Sequence, residues 1–237
     1  MKGIILCGGK GTRLAPLTNI YNKHLVAVYD KPMIDYSLGT LQKAGITDIL
    51  VVSGREHAGQ FVEYLGSGSD RGLNITYRVQ EGAGGIGEAL ALGKDFIGED
   101  GQFAVILGDN IFENIPDLEI ERGKCAKVFL KVIASGAGRF GVAKIDLHGD
   151  IESIVEKPKD IDSGYVVTGF YIYPHNVFNI IENMKPSARG ELEITNVNQH
   201  YIETKQMDYQ VLTGFWSDAG TPESLAVASQ WAIEQKR

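Results

Sequence analysis

The sequence predicts an α/β fold: a mixed, mostly parallel central sheet with helices on both faces. Three observations carry this. The runs at 3–7, 49–53 and 103–107 are short, rich in β-branched residues and apolar throughout, as strands covered on both sides are. Stretches with helical spacing lie between them. Strand–helix–strand alternation of this kind closes by right-handed crossovers into a parallel sheet.

The first strand, Gly3-Ile4-Ile5-Leu6-Cys7, runs straight into a glycine-rich turn. Met33, Tyr36, Leu41 and Ala44 then repeat at helical intervals and predict a helix over 33–44. The second strand, Ile-Leu-Val-Val-Ser at 49–53, is followed by helical stretches at 61–65 and 86–96, the latter opening from the glycine run at 82–87. Phe-Ala-Val-Ile-Leu at 103–107 is the third strand. After about Glu121 the texture turns strand-rich, with runs at 126–134, 140–146, 151–155 and 165–173. Helices at 176–184 and 192–204, a short strand at 207–212 and a terminal helix from Pro222 complete the chain; a proline suits a first helical turn, where its missing N–H is harmless. No repeat, linker or low-complexity tract interrupts this order, so a single domain over 1–237 is expected, with halves of about 1–120 and 121–237.

With 43% hydrophobic and 22% charged residues the chain can build a sizeable core. Its net charge of -7 argues against a nucleic-acid polymer as partner, because a polyanion needs a basic face. An anionic small molecule would have to be held by a few local cations. Cys7 and Cys125 allow at most one disulfide and lack metal-ligand spacing, and Cys7, ending an apolar run, reads as a buried thiol. The opening apolar stretch is too short for a signal peptide and no run reaches membrane-span length, so a cytoplasmic protein with no membrane partner is expected.

The turn after the first strand reads Gly8-Gly9-Lys10-Gly11-Thr12-Arg13-Leu14. Backbone N–H groups in such a turn can converge on one anion, Lys10 and Arg13 add positive charge, and the planar fork of Arg13 suits phosphate. The turn is not a Walker loop, since Gly-x-x-x-x-Gly-Lys-Ser/Thr occurs nowhere. Nor is it the dinucleotide fingerprint, because Leu14 stands where the third glycine belongs, which weakens a nicotinamide reading.

Those residues, with Pro16-Leu17-Thr18 and Asn22-Lys23-His24-Leu25, resemble the opening of sugar nucleotidylyltransferases, most nearly the short form of the glucose-1-phosphate thymidylyltransferase group. The resemblance continues in order through Gly108-Asp109-Asn110, Glu156-Lys157-Pro158, Val167-Thr168-Gly169 and the run from Pro186 to Thr195. It implies a Rossmann-like, nucleotide-diphospho-sugar transferase-like fold, with a nucleotide-binding half about 1–120 and a sugar-binding half about 121–237. It also implies transfer of a nucleotidyl group from dTTP to glucose 1-phosphate, with Mg2+ as cofactor and homo-oligomers common among relatives.

The same resemblance assigns roles. Gly8, Gly9, Gly11, Thr12, Arg13, Lys23, His24, Gln80 and Gly85 would bind the nucleotide; Gly141, Glu156, Lys157 and Val167 would bind the sugar phosphate; Asp109 and Asp218 would hold the metal; and Arg13, Lys157 and Asp109 would carry catalysis. Read alone, Asp109 also suits a turn, Asp218 a helix cap, Glu156-Lys157 a solvated ion pair and the run 82–87 plain backbone geometry. For Gln80 there is a chemical reason besides: an amide offers both donor and acceptor to the imide edge of thymine or uracil. Tyr171 and Tyr173 read as core or rim aromatics. No general base is required, since a sugar phosphate is already an anionic nucleophile.

The sequence departs from the group at His24, where glutamine is common, and at Ala27, where proline is; the first keeps UTP beside dTTP as donor. The chain ends soon after Asp218, so the feedback site carried by longer helical extensions is not expected. A non-catalytic nucleotide-sugar-binding subunit is the alternative, but it should have lost Arg13, Asp109, Lys157 or Asp218, and all four are present.

Overall fold

The structure, a computed structural model, describes residues 1–9, 11–99 and 101–236. Lys10, put forward above as a phosphate-side cation, lies outside the described residues.

In chain order the elements are β1 (Gly3–Cys7), β2 (Ala27–Val28), β3 (Lys31–Pro32), α1 (Met33–Lys43), β4 (Asp48–Gly54), α2 (Ala58–Leu65), β5 (Asn74–Gln80), α3 (Gly85–Ala91), α4 (Lys94–Ile97), β6 (Gln102–Leu107) and β7 (Ile111–Phe112). They continue with β8 (Ala126–Ile133), β9 (Gly141–Ile145), β10 (Ile151–Glu156), β11 (Gly164–Pro174), α5 (Val177–Glu182), α6 (Ile194–Glu203), β12 (Met207–Val211), β13 (Trp216–Ser217) and α7 (Pro222–Glu234).

The main sheet runs in the order β10-β9-β11-β6-β1-β4-β5, with β8 joining β11 to β12. Its nucleotide-side strands β6, β1, β4 and β5 are all parallel, as the strand–helix alternation predicts. Strand β11 is antiparallel to β6, β8 and β9, so the strand-rich second half extends the same sheet by hairpin-like pairing. Side chains alternate across it. Ile4 and Leu6 of β1 face one core with Phe103, Tyr173, Phe178 and Tyr201, whereas Ile5 and Cys7 face another with Ile34, Leu38, Phe61 and Phe170. Each fully buried aliphatic side chain of this kind stabilises the fold by about 1.5–3 kcal/mol. Cys7 is indeed a buried free thiol, and Tyr171 and Tyr173 are core residues.

Two local features differ from the expected spans. The helix expected at 86–96 is two, α3 and α4, because the chain turns at Gly93, where a Cβ would come within 2.4 Å of Ile4. The helix expected from 192 begins at Ile194; Leu192 stays outside it, donating its N–H to the Gly84 carbonyl and accepting from the Gly87 N–H. The terminal helix starts at Pro222 as expected, and Thr221 and Ser224 add a reciprocal capping box. Among the described residues no helix is long and apolar enough to cross a membrane.

Candidate active site

The C-terminal ends of the parallel strands, where α/β sheets gather ligands, carry the glycine turn after β1, Gln80 at the end of β5 and Asp109 after β6. Beyond β1 the backbone at Gly9 (φ 91°) and Gly11 (φ 62°) is left-handed, a conformation that glycine reaches without strain. The Gly11 carbonyl accepts from the Leu14 N–H at 2.9 Å and from Thr18 Oγ1 at 2.8 Å, while the buried Leu14 pins the turn to the protein. Space also demands glycine here: a Cβ on Gly11 would stand 2.9 Å from Thr18 and 3.0 Å from Lys23, and one on Gly8 would stand 2.6 Å from Gln80 Oε1. Thr12 and Arg13 are left exposed on this turn.

Lys23 closes the turn from below. Its Nζ lies 2.6 Å from Asp109 Oδ2, both side chains being largely buried. Burial pushes the Asp109 carboxyl up, but Lys23 and the hydrogen bonds it receives outweigh this, and its pKa falls below the usual carboxylate value. Asp109 is therefore an ionised, nearly buried carboxylate. Asn110 donates to its other oxygen at 2.9 Å.

Asp218 arrives from 109 residues further along the chain. Strand β13 pairs antiparallel with β7, Ser217 opposite Ile111 and Trp216 opposite Phe112. Continued by one residue, that register sets Asp218 opposite Asn110, next to Asp109. Trp216 Nε1 donates to Asn110 Oδ1 at 2.8 Å and locks the pairing. The register shift in β11 between Val167 and Tyr171 frees the Gly169 N–H from the ladder, and it too donates to Asn110 Oδ1, at 2.9 Å. Asp218 Oδ2 pairs with Arg139 at 2.8 Å. A Cβ on Gly220 would lie 3.0 Å from the Arg13 guanidinium and 3.5 Å from Asp218 Oδ2, so the glycine turn and the Asp218 segment meet. The pairing of β13 with β7 thus brings the segment bearing Asp218 to the strand end bearing Asp109, a juxtaposition that sequence alone could not supply.

A second group of predicted residues is carried on β9, β10 and β11. Glu156 Oε2 accepts from the buried Thr195 hydroxyl at 2.5 Å, and its Oε1 faces Arg189 at 3.5 Å and Lys157 at 3.6 Å. A Cβ on Gly141 would stand 3.6 Å from Glu156 Oε2, which puts the two on one surface. Val167 lies at the β11 irregularity, 8% exposed. Lys157, exposed, and Ala219, buried beside Asp218, both hold left-handed backbones (φ 46° and 33°), an unfavourable conformation for residues with a Cβ.

On the base side, Gln80 ends β5 and is 5% exposed, and Gly85 opens α3 with a left-handed φ of 93° against Leu192 and Glu191. His24 departs from its expected place. Its ring is 1% exposed, 6.4 Å from Phe61, with Nδ1 turned to Asn22 Oδ1 at 2.7 Å. Burial, and then Lys23, lower its pKa to about 3, so the ring is neutral and supports the turn that carries Lys23 instead of lying open to a ligand. Sequence reasoning gave no role to Arg139, Thr195, Glu88 or Asn110. Asn110 and Thr195 lie inside motifs already quoted, whereas for Arg139 and Glu88 only the tertiary contacts reveal a partner.

Among the described residues there is no group of three or more histidine, cysteine or acidic side chains that could hold a metal ion unaided. Two carboxylates, each already beside a protein cation, suit instead a hard cation that takes its remaining ligands from phosphates and water.

Residues 2–235 match the family model described as nucleotidyl transferase. The glucose-1-phosphate thymidylyltransferase of Neisseria gonorrhoeae is 42% identical over 237 residues, an overlap covering 98% of this chain and 82% of that protein. The structure of a proposed glucose-1-phosphate thymidylyltransferase from Bacillus anthracis, solved in complex with sucrose, is 47% identical and superposes with a TM-score of 0.91 over 98% of this chain and 95% of its own. A UDP-glucose pyrophosphorylase solved with UDP-glucose is 27% identical, with a TM-score of 0.87 over 100% and 99%.

Proposed function

The chain belongs to the nucleotidyl transferase family, and from that membership we propose that it joins dTTP to glucose 1-phosphate, giving dTDP-glucose and pyrophosphate. The observation that supports this reading is the pairing of β7 with β13, which brings the segment bearing Asp218 to the strand end bearing Asp109 and against Arg13 of the glycine turn.

In the proposed reaction an oxygen of the sugar phosphate attacks the α-phosphorus in line. The new P–O bond forms as the bond to the β-phosphate oxygen breaks, and pyrophosphate leaves with that electron pair. The nucleophile is already anionic, so the protein's task is positioning and charge neutralisation. Backbone N–H groups of Gly8, Gly9, Gly11 and Thr12 cradle the triphosphate, with Arg13 and Lys23 adding charge. Lys157 holds the sugar phosphate, Glu156 accepts from sugar hydroxyls, and Gly141 and Val167 contribute backbone contacts. Gln80 and Gly85 read the base. Asp109 and Asp218 would hold a divalent cation, Mg2+ in this proposal, which when bound supplies further charge stabilisation to the phosphates.

The test is a pyrophosphate-release screen of every nucleoside triphosphate against several sugar 1-phosphates. The proposal requires the highest kcat/KM with dTTP and glucose 1-phosphate. Release with no pair would remove the enzyme reading, and preference for UTP would move the donor assignment.

A further inference from the structure

The base-reading amide of Gln80 is not free to turn over. Its Nε2 lies 2.5 Å from Glu88 Oε2 and 3.3 Å from the Gly85 carbonyl, so both of its hydrogens face acceptors. A flipped amide would instead set its oxygen against two other oxygens. Glu88 Oε2 is itself anchored by the Gly84 N–H at 2.9 Å. The loop closes on this carboxylate so tightly that a Cβ on Gly84 would stand 2.7 Å from Glu88 Cδ. The remaining atom, Gln80 Oε1, is therefore aimed at the phosphate turn, where a Cβ on Gly8 would meet it at 2.6 Å.

We propose that Glu88 is a specificity-determining positioning residue: by accepting one hydrogen of the Gln80 amide while the Gly85 carbonyl faces the other, it makes that side chain a pure acceptor toward the nucleotide. This rests on the base-reading role of Gln80 proposed above. An amide in water offers donor and acceptor alike and accommodates either pyrimidine type. A locked acceptor pairs with the N3–H of thymine or uracil but faces the lone pair on N3 of cytosine. The site thereby selects the imide pyrimidines by repulsion as well as attraction.

The experiment compares kcat/KM for dTTP and dCTP in the wild type, Glu88→Leu, Glu88→Ala, Glu88→Gln and Gln80→Leu. Loss of the carboxylate frees the amide to rotate, so Glu88→Leu and Glu88→Ala should lower the dTTP:dCTP ratio by about tenfold or more, on the scale of one hydrogen-bond complementarity. The change should fall on the nucleotide KM, with kcat moving little. Glu88→Gln, whose own carbonyl can accept from the same two groups, should restore most of the ratio. An unchanged ratio in both Glu88→Leu and Glu88→Ala, alongside a lowered one in Gln80→Leu, overturns the positioning role and leaves base reading intact. An unchanged ratio in Gln80→Leu removes the base-reading premise and this inference with it. Equal losses in Glu88→Gln and Glu88→Leu would also overturn the acceptor argument.

Discussion

Trp216 donates its indole N–H to Asn110 Oδ1 at 2.8 Å, and this one bond fastens the segment bearing Asp218 to the strand end bearing Asp109. Asn110 spends its amide nitrogen on Asp109 and its oxygen on Trp216 and the Gly169 N–H. A single side chain thus ties together segments that lie 109 residues apart in the sequence, and the first predictions follow from that link.

Asp109→Asn keeps the size of the side chain and its capacity to hydrogen-bond but removes the charge. The expected outcome is a fall in kcat of about 100-fold or more, the scale seen when one preorganised electrostatic group is lost. Circular dichroism should stay native, since Lys23 retains a polar partner. Undiminished pyrophosphate release would contradict the role given to Asp109.

Chelation should separate activity from folding. Asp109 and Asp218 are each paired with a protein cation, Lys23 and Arg139, so neither carboxylate is left uncompensated when a divalent ion is withdrawn. EDTA is expected to abolish turnover while moving the melting temperature by less than about 2 °C, the lower edge of the shift of about 2–4 °C that a loss of 1 kcal/mol produces in a domain this size. A cooperative unfolding on chelation would point to a structural metal instead.

Gly169 is a spatial necessity as much as a hinge in the ladder. A Cβ there would meet Asn110 Nδ2 at 2.5 Å and Leu107 at 2.8 Å. Gly169→Ala should cost about 1–3 kcal/mol by overpacking, read by chemical denaturation. Because the displaced residue is Asn110, kcat should fall by more than the stability loss accounts for. Thermal destabilisation with full turnover would show that the Asn110 alignment does not matter to the reaction.

The sugar-side residues make a separable prediction. Thr195 orients Glu156 through a 2.5 Å hydrogen bond to the carboxylate. Thr195→Val removes that donor at nearly constant volume, and the net value of a hydrogen bond to a charged group is about 1.5–3 kcal/mol. KM for the sugar phosphate should rise roughly tenfold with the nucleotide KM unchanged, as seen in initial-rate kinetics, and Thr195→Ser should recover most of the loss. Equal effects on both substrates would place the defect in the fold.

Much of this was legible before coordinates. The strand β1 and its glycine turn could be read from apolar run and composition alone, and the parallel half of the sheet followed from the alternation around it. The two helices at 86–96 were not separable, because the break at Gly93 answers to Ile4 on a different element. In the same way Asp218 is an ordinary loop residue until β13 finds β7, and Arg139 an ordinary surface cation until it meets Asp218. Long-range partners leave no local periodicity, so the pairs that complete the site become visible only with the fold.

His24 yields a test of burial itself. In the unfolded chain its pKa lies near 6.5, and in the fold burial lowers it to about 3. Between those values the unfolded state binds the proton and the native state does not, so stability contributed at neutral pH is lost as the pH falls through 6.5 toward 3. From pH 7 to pH 5 this one group should withdraw about 2 kcal/mol. His24→Gln, which cannot titrate, should show a shallower decline by about that amount in urea unfolding at the two pH values. Its Nε2 or Oε1 can still engage Asn22, so the turn holding Lys23 should persist. Parallel declines in the two proteins would mean that His24 is protonated in the fold and faces solvent after all.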